Sequence, residues 1–233
     1  MTFITYLFGT DRAFDCTSVS FFGTVVRRRG RSTRVPSLLM RLPAAERRSQ
    51  LLVVALAVFG EHGYHGASMN QVAEAAGVTK PVLYQHFRSK RELYLELLED
   101  VGTRLEELIT KATAEAGNPQ AQVTAGFTAY FRFVTEQRWS FQLLFGGATR
   151  LDEEFAATVR RVEGVISEAI AELIRVEGLD TDERRVLAHG IVGLAEGISR
   201  HCIEQDLIHD PNVLAAQVSE LAWAGLRGIH GGR

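Results

Sequence analysis

Cysteine is scarce in this chain. Only two of its 233 residues are cysteines, Cys16 and Cys202, and they lie far apart in unrelated surroundings. Two isolated thiols form neither a disulfide framework nor a thiolate metal site. The sequence therefore argues against a disulfide-stabilised secreted domain and predicts a protein of the reducing cytoplasm.

Clusters of metal ligands are missing as well. Two small groups invite comparison with a metal site, namely His62 with His65, and His201 with Cys202 and His209. Neither group has the ligand number or the spacing of a zinc or iron site. No metal and no cofactor is expected.

Long apolar runs and a strong net charge are also absent. No run approaches the ~20 residues of a membrane-spanning helix, so no membrane partner is expected. The opening MTFITYLFGTDRAFDC has no basic segment, and Asp11, Arg12 and Asp15 interrupt it, which is unlike a signal peptide. The formal charge of −2 does not indicate what kind of molecule the protein binds. The local distribution of charge is more informative.

Residues 1–39 show no periodic pattern and are predicted to be a disordered N-terminal extension. They end near the basic cluster RRRGR of residues 27–31. Two interpretations of this cluster stay open. It is an arm that contacts a DNA backbone or minor groove, or it is a solvated tail.

From Pro43 onward the apolar residues recur with helical period, and no strand pattern is visible. A first helix is predicted to end at residues 61–63, and a long fourth helix places Leu93, Leu97, Val101, Leu105 and Leu108 on one face. Further helical blocks are predicted at about residues 119–137, 139–146, 152–177, 181–207 and 211–228. The chain is therefore predicted to be all-α. A three-helix N-terminal unit (residues 44–95) is joined by the long helix to a larger helical bundle (residues 96–229).

Two short helices meet at a corner of small residues between them, as in a helix-turn-helix. Ser68 and Gln71 have the spacing of a capping box at the start of the first of these helices. Gly77 ends that helix, because glycine readily adopts a positive φ. Thr79 is the predicted N-cap of the next helix, which places Pro81 in the first turn, where its missing N–H removes no helical hydrogen bond.

The second of these short helices presents side chains suited to DNA. Its N-terminal residues would meet base edges in the major groove, where Lys80 donates to guanine or phosphate and Thr79 and Pro81 contact thymine methyls or the backbone. Tyr84 and His86 offer donors to phosphate. For both, a structural role is the alternative: Tyr84 would hold the helix against the fourth helix, and His86 would interact with its own helix dipole.

The segment from Leu51 to Leu97 resembles the DNA-binding domain of the TetR family of transcriptional regulators. The residues that carry the resemblance are Phe59 with Gly63-Tyr64, Val72-Ala73 with Ala76-Gly77-Val78, Leu83-Tyr84 with His86-Phe87, and Lys90 followed by Leu93. It implies an all-helical fold, a homodimer bound to a palindromic double-stranded operator, and control by a small ligand. It also implies the following DNA contacts: Ser68, Asn70, Thr79, Lys80, Pro81, Tyr84, Gln85, His86 and Lys90.

Within that family, RLPAAERRSQLL, GVTKPVLYQHF and ELYLELLED are similar to actinobacterial regulators of fatty-acid synthesis that sense long-chain acyl-CoA. The similarity implies a hydrophobic effector such as an acyl-CoA. The residues do not distinguish a repressor from an activator.

Aromatic residues are concentrated in the predicted helices of residues 119–146. An aromatic stripe of this kind forms a core or lines an apolar pocket, and both interpretations stay open. The candidate pocket residues are Phe127, Tyr130, Phe131, Trp139 and Phe145. Arg132, Arg138 and Arg150 are candidates for an anionic head group.

Three glycines interrupt the block at residues 181–207, and each costs ~1 kcal/mol relative to alanine in a helix. Close approach of two helices would offset that cost, so this block and the last one are predicted to form a dimer interface, the alternative being packing within one chain. The predicted interface residues are Gly190, Leu194, Gly197, Ile198, Val218, Leu221, Ala222 and Gly225.

Two other functions remain as alternatives. An enzyme built on a helical bundle would need a convergent nucleophile, acid and base, and no such arrangement is visible, so the chain is predicted not to be an enzyme. A DNA-architectural protein without a ligand would have a solid second half, whereas a cavity lined by Phe127, Phe131 and Phe145 would count against it.

Overall fold

The computed structural model describes residues 43–205, 207 and 210–229. The predicted N-terminal extension and its basic cluster lie outside these residues. The described residues from Ala45 onward form one compact unit. The helices are α1 (Ala44–Gly66), α2 (Met69–Ala75), α3 (Lys80–His86), α4 (Lys90–Ala114), α5 (Pro119–Glu136), α6 (Arg138–Phe145), α7 (Gly147–Leu151), α8 (Glu153–Leu173), α9 (Thr181–Glu204) and α10 (Pro211–Gly228). The described part of the chain contains no strand, so the all-α prediction is confirmed.

The first three helices follow the predicted caps closely. In α1, Gly63 has φ 68° and ψ 169°, which breaks the helix where its end was predicted, and one more turn follows. The Ser68 hydroxyl accepts from the Gln71 N–H at 3.3 Å. The predicted reciprocal bond is wrong, because the Gln71 side chain accepts from the Ser68 hydroxyl instead of reaching its backbone N–H. Gly77 has φ 63°, as predicted for the corner between α2 and α3.

The long helix α4 carries the core of the molecule along its length. Leu93, Leu97, Val101 and Leu105 are all buried, as the period predicts. The prediction for Leu108 is wrong, since 41% of it is exposed and the next residue, Ile109, is buried instead. Ile109, four residues after Leu105, continues the buried face of the helix more directly than Leu108, which is three residues after it.

The remaining helices build a bundle around α4. Helix α5 packs against α4 and α10, and α8 packs against α4 and α9. A short helix, α7, occupies the place where Gly146 and Gly147 predicted only a break. In the part of the chain that is described, no helix is both long and apolar enough to span a bilayer.

A cluster of rings joins the first helices to α8. The ring centroid of Phe155 lies 4.9 Å from that of Tyr64 and 4.7 Å from that of Tyr94. The Arg91 guanidinium lies 4.8 Å from the Phe155 ring centroid. It also donates to both carboxylate oxygens of Asp152, at 2.7 and 2.8 Å. Phe155 is fully buried, so this ring cluster ties the helix-turn-helix to the bundle.

Asp152 has a second structural role, because it is also the N-cap of α8. Its side chain accepts from the backbone N–H groups of Glu154 and Phe155, at 3.1 and 3.2 Å. The hydrogen bonds from Arg91 and, to a smaller extent, from these N–H groups hold the pKa of Asp152 below its usual value. The ionised carboxylate is therefore the form that stabilises the fold.

We expect this carboxylate to contribute to acid sensitivity. Because its pKa in the folded state is depressed, its contribution is present above the pKa of the unfolded chain and is lost as the pH falls through the folded-state value. Asp152→Asn keeps a good N-cap residue but removes the charge. The melting-temperature difference between the wild type and this variant should be largest near pH 7 and shrink as the pH falls below about 4. A difference that is constant with pH would contradict this assignment.

Candidate DNA-binding face and ligand cavity

The second helix of the helix-turn-helix, α3, packs against the rest of the protein through one face only. Leu83 and Phe87 are fully buried, and Val82 is half-buried, as the sequence predicted. The Arg48 guanidinium lies 4.5 Å from the Phe87 ring centroid and pairs with Glu96 of α4. This contact fixes the end of α3 between α1 and α4.

The opposite face of α3 is open. The exposed residues are Thr79, Lys80, Pro81, Tyr84 and Gln85, together with Asn70 at the start of α2. The half-buried ones are Ser68 and His86.

The structure limits the structural roles that the sequence suggested for Thr79 and Tyr84. Thr79 has the extended backbone of an N-cap, but its hydroxyl makes no capping bond and stays available to a ligand. Tyr84 is 41% exposed, and its ring centroid lies 5.8 Å from the Lys80 ammonium. A tyrosine that held α3 against α4 would be buried, so the structural alternative for Tyr84 is not supported.

Lys90 has a structural role that the sequence did not reveal. Its ammonium donates to the backbone carbonyls of Tyr64 and Ala67, at 2.7 and 2.9 Å. It also lies 4.5 Å from the Tyr64 ring centroid. Two of its three donors therefore satisfy the end of α1, and one donor remains for a phosphate. Its contact with DNA stays a prediction.

The bundle contains a partly open, apolar cavity of about 350 Å³, which is within the size range of small-molecule sites. Apolar side chains of α4, α5, α8, α9 and α10 form most of its wall. The main ones are Leu105, Ile109, Val123, Phe127, Val162, Ile166, Ile170, Ile191, Val192 and Trp223.

Three of the predicted pocket residues line this cavity, namely Phe127, Tyr130 and Phe145. The prediction is wrong for Phe131, which is buried in the core but is not among the lining residues. It is also wrong for Trp139, which is 40% exposed. The Trp139 ring instead covers Gly60 of α1, where an added Cβ would lie 2.6 Å from the ring. This close contact with the Trp139 ring explains why residue 60 is a glycine.

Two of the three predicted head-group arginines, Arg132 and Arg138, do not line the cavity. Arg132 donates to Asn212 at 2.8 Å on the outside of the bundle. Arg138 is exposed and is not among the lining residues. The side chain of Arg150 is outside the described part of the structure. The arginines that do line the cavity are Arg175, just after α8, and Arg227, in the last turn of α10.

A few polar groups interrupt the apolar wall. Glu163 lines the cavity, and burial raises its pKa against the opposing positive charges of His189, Arg160 and Arg200. Tyr130 also lines it, and its hydroxyl has no hydrogen-bond partner among the described residues. Burial raises the pKa of that hydroxyl. The inner wall is therefore largely apolar and holds a single carboxyl group among the described lining residues.

Helices α9 and α10 lie on the outside of the bundle and expose small residues. Gly190, Gly197 and Gly225 are exposed, and an added Cβ at each would meet nothing within 4 Å in this chain. Leu221 is 62% exposed, whereas Leu194, Ile198 and Ala222 are half-buried. Val218 is the exception among the predicted interface residues, because it is already buried within the protomer.

One close contact between helices escaped sequence reasoning altogether. Gly102 of α4 faces Val162 of α8 so closely that an added Cβ would lie 2.5 Å from a Val162 methyl group. The only available signal was a small residue on the buried face of α4. For Glu163 the signal was a charge next to the apolar stripe of Val162, Ile166 and Ile170. Nothing in the pattern pointed to Arg175 or Arg227, which lie at helix ends.

A helix-turn-helix whose second helix has one open face, attached to a helical bundle, is the architecture of a DNA-binding regulator. Comparison with known proteins agrees. Residues 51–97 match the profile described as "Bacterial regulatory proteins, tetR family", and residues 119–225 match "Tetracyclin repressor-like, C-terminal domain".

Individual relatives agree with these profiles. The HTH-type transcriptional activator FasR of Mycolicibacterium smegmatis is 34% identical over 187 residues, which is 80% of this chain and 85% of that protein. A TetR-like transcriptional regulator from a Rhodococcus species is 28% identical, with a TM-score of 0.65 over 81% of this chain and 100% of that one. FadR of Bacillus subtilis, solved in complex with stearoyl-CoA, has a TM-score of 0.67 at 19% identity and covers 78% of this chain and 99% of its own.

The chain belongs to the TetR family and is a DNA-binding transcriptional regulator. The prediction of a regulator rather than an enzyme is confirmed, since these relatives are named as regulators.

Proposed function

We propose that this regulator binds a palindromic operator as a homodimer and is controlled by a long-chain acyl-CoA in the bundle cavity. The observation that carries the proposal is the cavity of about 350 Å³ with its largely apolar wall. A ligand-independent architectural protein would fill this space, because voids in a core cost stability. The cavity therefore favours ligand control.

Three features support an acyl-CoA as the occupant. The cavity extends along α8 from Val162 to the residues after Leu173, which suits an elongated apolar molecule. FadR of Bacillus subtilis has the same fold and was solved with stearoyl-CoA, so this architecture is able to accommodate a long-chain acyl-CoA. The arginines beside the cavity, Arg175 and Arg227, supply positive charge of the kind that phosphates require.

The position of the cavity suggests how a ligand would affect DNA binding. Leu105 and Ile109 of α4 line it, and the beginning of α4 packs against α1 through Tyr94, whose ring centroid lies 4.8 Å from that of Tyr64. A ligand that moves α4 relative to α8 would also move the ring cluster around Phe155. The spacing of two recognition helices in a dimer would change, and with it the fit to two half-sites.

A gel-shift series tests the proposed function directly. The full chain should retard DNA from the promoters of its own and neighbouring genes at moderate salt, and palmitoyl-CoA should change the affinity for that DNA. Failure of a dimeric preparation to retard any of these fragments would contradict the operator proposal. Retardation that is unaffected by palmitoyl-CoA would contradict ligand control.

Filling the cavity should separate ligand response from DNA binding. Gly126 lies on α5 at the cavity wall, and an added Cβ would be 3.4 Å from a Thr113 methyl group, an ordinary contact. Gly126→Leu places a side chain in the cavity, and a non-glycine residue favours the helix by up to ~1 kcal/mol. We expect the variant to keep its melting temperature and its DNA affinity but to lose the response to palmitoyl-CoA.

The matched control for this variant is Gly126→Ala, which gains helix propensity but leaves most of the cavity open. It should retain the response to palmitoyl-CoA. If Gly126→Leu responds as the wild type does, the ligand binds elsewhere.

The homodimer is proposed from the glycines on α9 and α10. Their open surroundings in the protomer mean that packing within one chain does not account for them, whereas a partner helix at close approach would. Gly197→Gln places a long side chain at this surface, where overpacking costs about 1–3 kcal/mol at each contact of a two-fold interface. We expect the dimer dissociation constant, measured by analytical ultracentrifugation, to rise at least ~10-fold.

A glycine on another helix controls for this experiment. Gly164 of α8 also has nothing within 4 Å of an added Cβ, so Gly164→Gln tests the same chemical change away from α9 and α10. It should leave the dimer intact. Equal behaviour of the two variants would contradict the proposed interface.

A further inference from the structure

We infer that the cavity binds its ligand in one orientation, with an anionic group at Arg175 and Arg227 and the apolar chain directed past Glu163 towards Val162. This inference rests on the proposed ligand control and deepens it, because it assigns the two ends of the ligand. The supporting observations are the course of the helices around the cavity and the positions of the charged side chains on its wall.

The two ends of the cavity are identified by the helices that surround it. Helices α4 and α8 run in the same direction, since Arg91 pairs with Asp152 at their beginnings and Gly102 faces Val162 further along. From Val162 to Leu173, α8 advances roughly 16 Å along the cavity at about 1.5 Å per residue. One end is therefore near the middle of α4, and the other lies beyond the end of α8.

Helices α5 and α10 place Arg227 at the same end as Arg175. They run in opposite directions, because Thr124 bonds to Ser219 at 3.2 Å and Arg132 bonds to Asn212 at 2.8 Å. The end of α10 consequently lies beside the start of α5, where Pro119 and Gln122 line the cavity. The region formed by Pro119, Gln122, Arg175 and Arg227 is here called the basic rim.

The basic rim has the chemistry of an anion site. Arg175 and Arg227 are both exposed, so a charged group placed between them stays in contact with water. Within the described residues, neither arginine forms an ion pair with a carboxylate. Guanidinium groups bind phosphates and carboxylates through paired N–H donors, and the surrounding apolar wall leaves the rest of the ligand in a dry environment.

The inner wall has the opposite character. Glu163 is a half-buried carboxyl group beside Val162 and Ile166, and burial raises its pKa although Arg160 and Arg200 oppose that shift. A second anion at this point would lose its hydration and lie close to a like-charged group. An amphipathic ligand with one anionic end is therefore accepted in one direction only, with the anion at the basic rim.

Three ligands with the same acyl chain test the rim. They are palmitoyl-CoA, palmitate and the uncharged thioester palmitoyl-N-acetylcysteamine, and binding is followed by titration calorimetry. We expect the R175Q/R227Q variant to have a ~10-fold or greater loss of affinity for palmitoyl-CoA. Its affinity for the uncharged thioester should change less than twofold. Palmitate should also bind more weakly to R175Q/R227Q, because its carboxylate occupies the same rim. An unchanged affinity for palmitate would contradict the assignment of the anionic end.

The control variant is K111Q/R138Q, which removes two exposed cations that do not line the cavity. It should bind all three ligands as the wild type does. An equal loss for the charged and the uncharged ligand in R175Q/R227Q, or no loss for palmitoyl-CoA, would overturn the inference. Failure of the wild type to bind any of the three would instead overturn the proposed function.

Hexadecanedioate, with a carboxylate at each end, tests the orientation. If one carboxylate occupies the basic rim, the other lies in the inner part beside Glu163. The wild type should bind this diacid at least ~10-fold more weakly than palmitate, and E163Q should reduce that ratio several-fold. An unchanged ratio in E163Q would overturn the orientation.

Discussion

Replacement of Lys80 and Tyr84 together by alanine will weaken operator binding by roughly 100-fold or more, because two contacts are lost at each half-site and a contact of this kind is worth about 1–3 kcal/mol. Both side chains lie on the open face of α3. Loss of the Lys80 charge should also lower the salt dependence of binding by about one released counterion per protomer. Fluorescence anisotropy at several salt concentrations measures both effects.

The stability of this double variant distinguishes a DNA contact from a structural role. Tyr84 is 41% exposed and Lys80 is exposed, so the free energy of unfolding should change by less than about 0.5 kcal/mol per residue. The control is Lys111→Ala, which removes an exposed lysine at the far end of α4 and should leave DNA binding unchanged. Undiminished operator affinity in the double variant, or a large loss of stability, would contradict the assignment of α3 as the recognition helix.

Replacement of Phe155 by alanine will destabilise the protein by about 3–5 kcal/mol, the cost of removing a buried aromatic side chain and leaving a cavity. Phe155 is fully buried and contacts Tyr64, Tyr94 and Arg91 at the junction between the helix-turn-helix and the bundle. Since many domains have only about 5–15 kcal/mol of stability, a large fraction of the variant would be unfolded at moderate temperature. Urea denaturation followed by circular dichroism measures the change.

Two further substitutions on α8, one of them at residue 155, provide controls for this loss of stability. Phe155→Leu retains part of the buried volume and should cost clearly less than the alanine variant. Val165→Ala, on the same helix at a site that is 51% exposed, should change stability by less than about 0.5 kcal/mol. A Phe155→Ala variant within 1 kcal/mol of the wild type would show that the ring cluster contributes little to the junction.

The helix-turn-helix was predictable because its signals are local. Ser68 caps α2, Gly77 has the positive φ that its position requires, and Pro81 lies in the first turn of α3. Each of these depends on a few neighbouring residues, so the one-dimensional pattern contains the information. The boundaries of α5, α6 and α10 follow for the same reason, from Asn118, Gly146 and Asp210 at their ends.

The cavity was only partly predictable, because an apolar residue that fills a core and one that lines a void have the same periodicity. Phe127 and Phe131 lie on one stripe of α5 and stack at 6.0 Å between ring centroids, yet only Phe127 lines the cavity. Which of the two faces empty space depends on the rotation of α5 against four other helices. No local signal encodes that rotation.

The amino-acid pattern alone was sufficient for the all-α class, the helix-turn-helix and the division of α3 into a buried and an open face, since caps, glycine, proline and helical period act over a few residues. Tertiary packing decided the rest. It committed two donors of Lys90 to the end of α1, buried Val218 within the protomer, and brought Arg175 and Arg227 from separate helices to one end of the cavity. These outcomes depend on residues far apart in the chain, whose meeting is set by how whole helices pack.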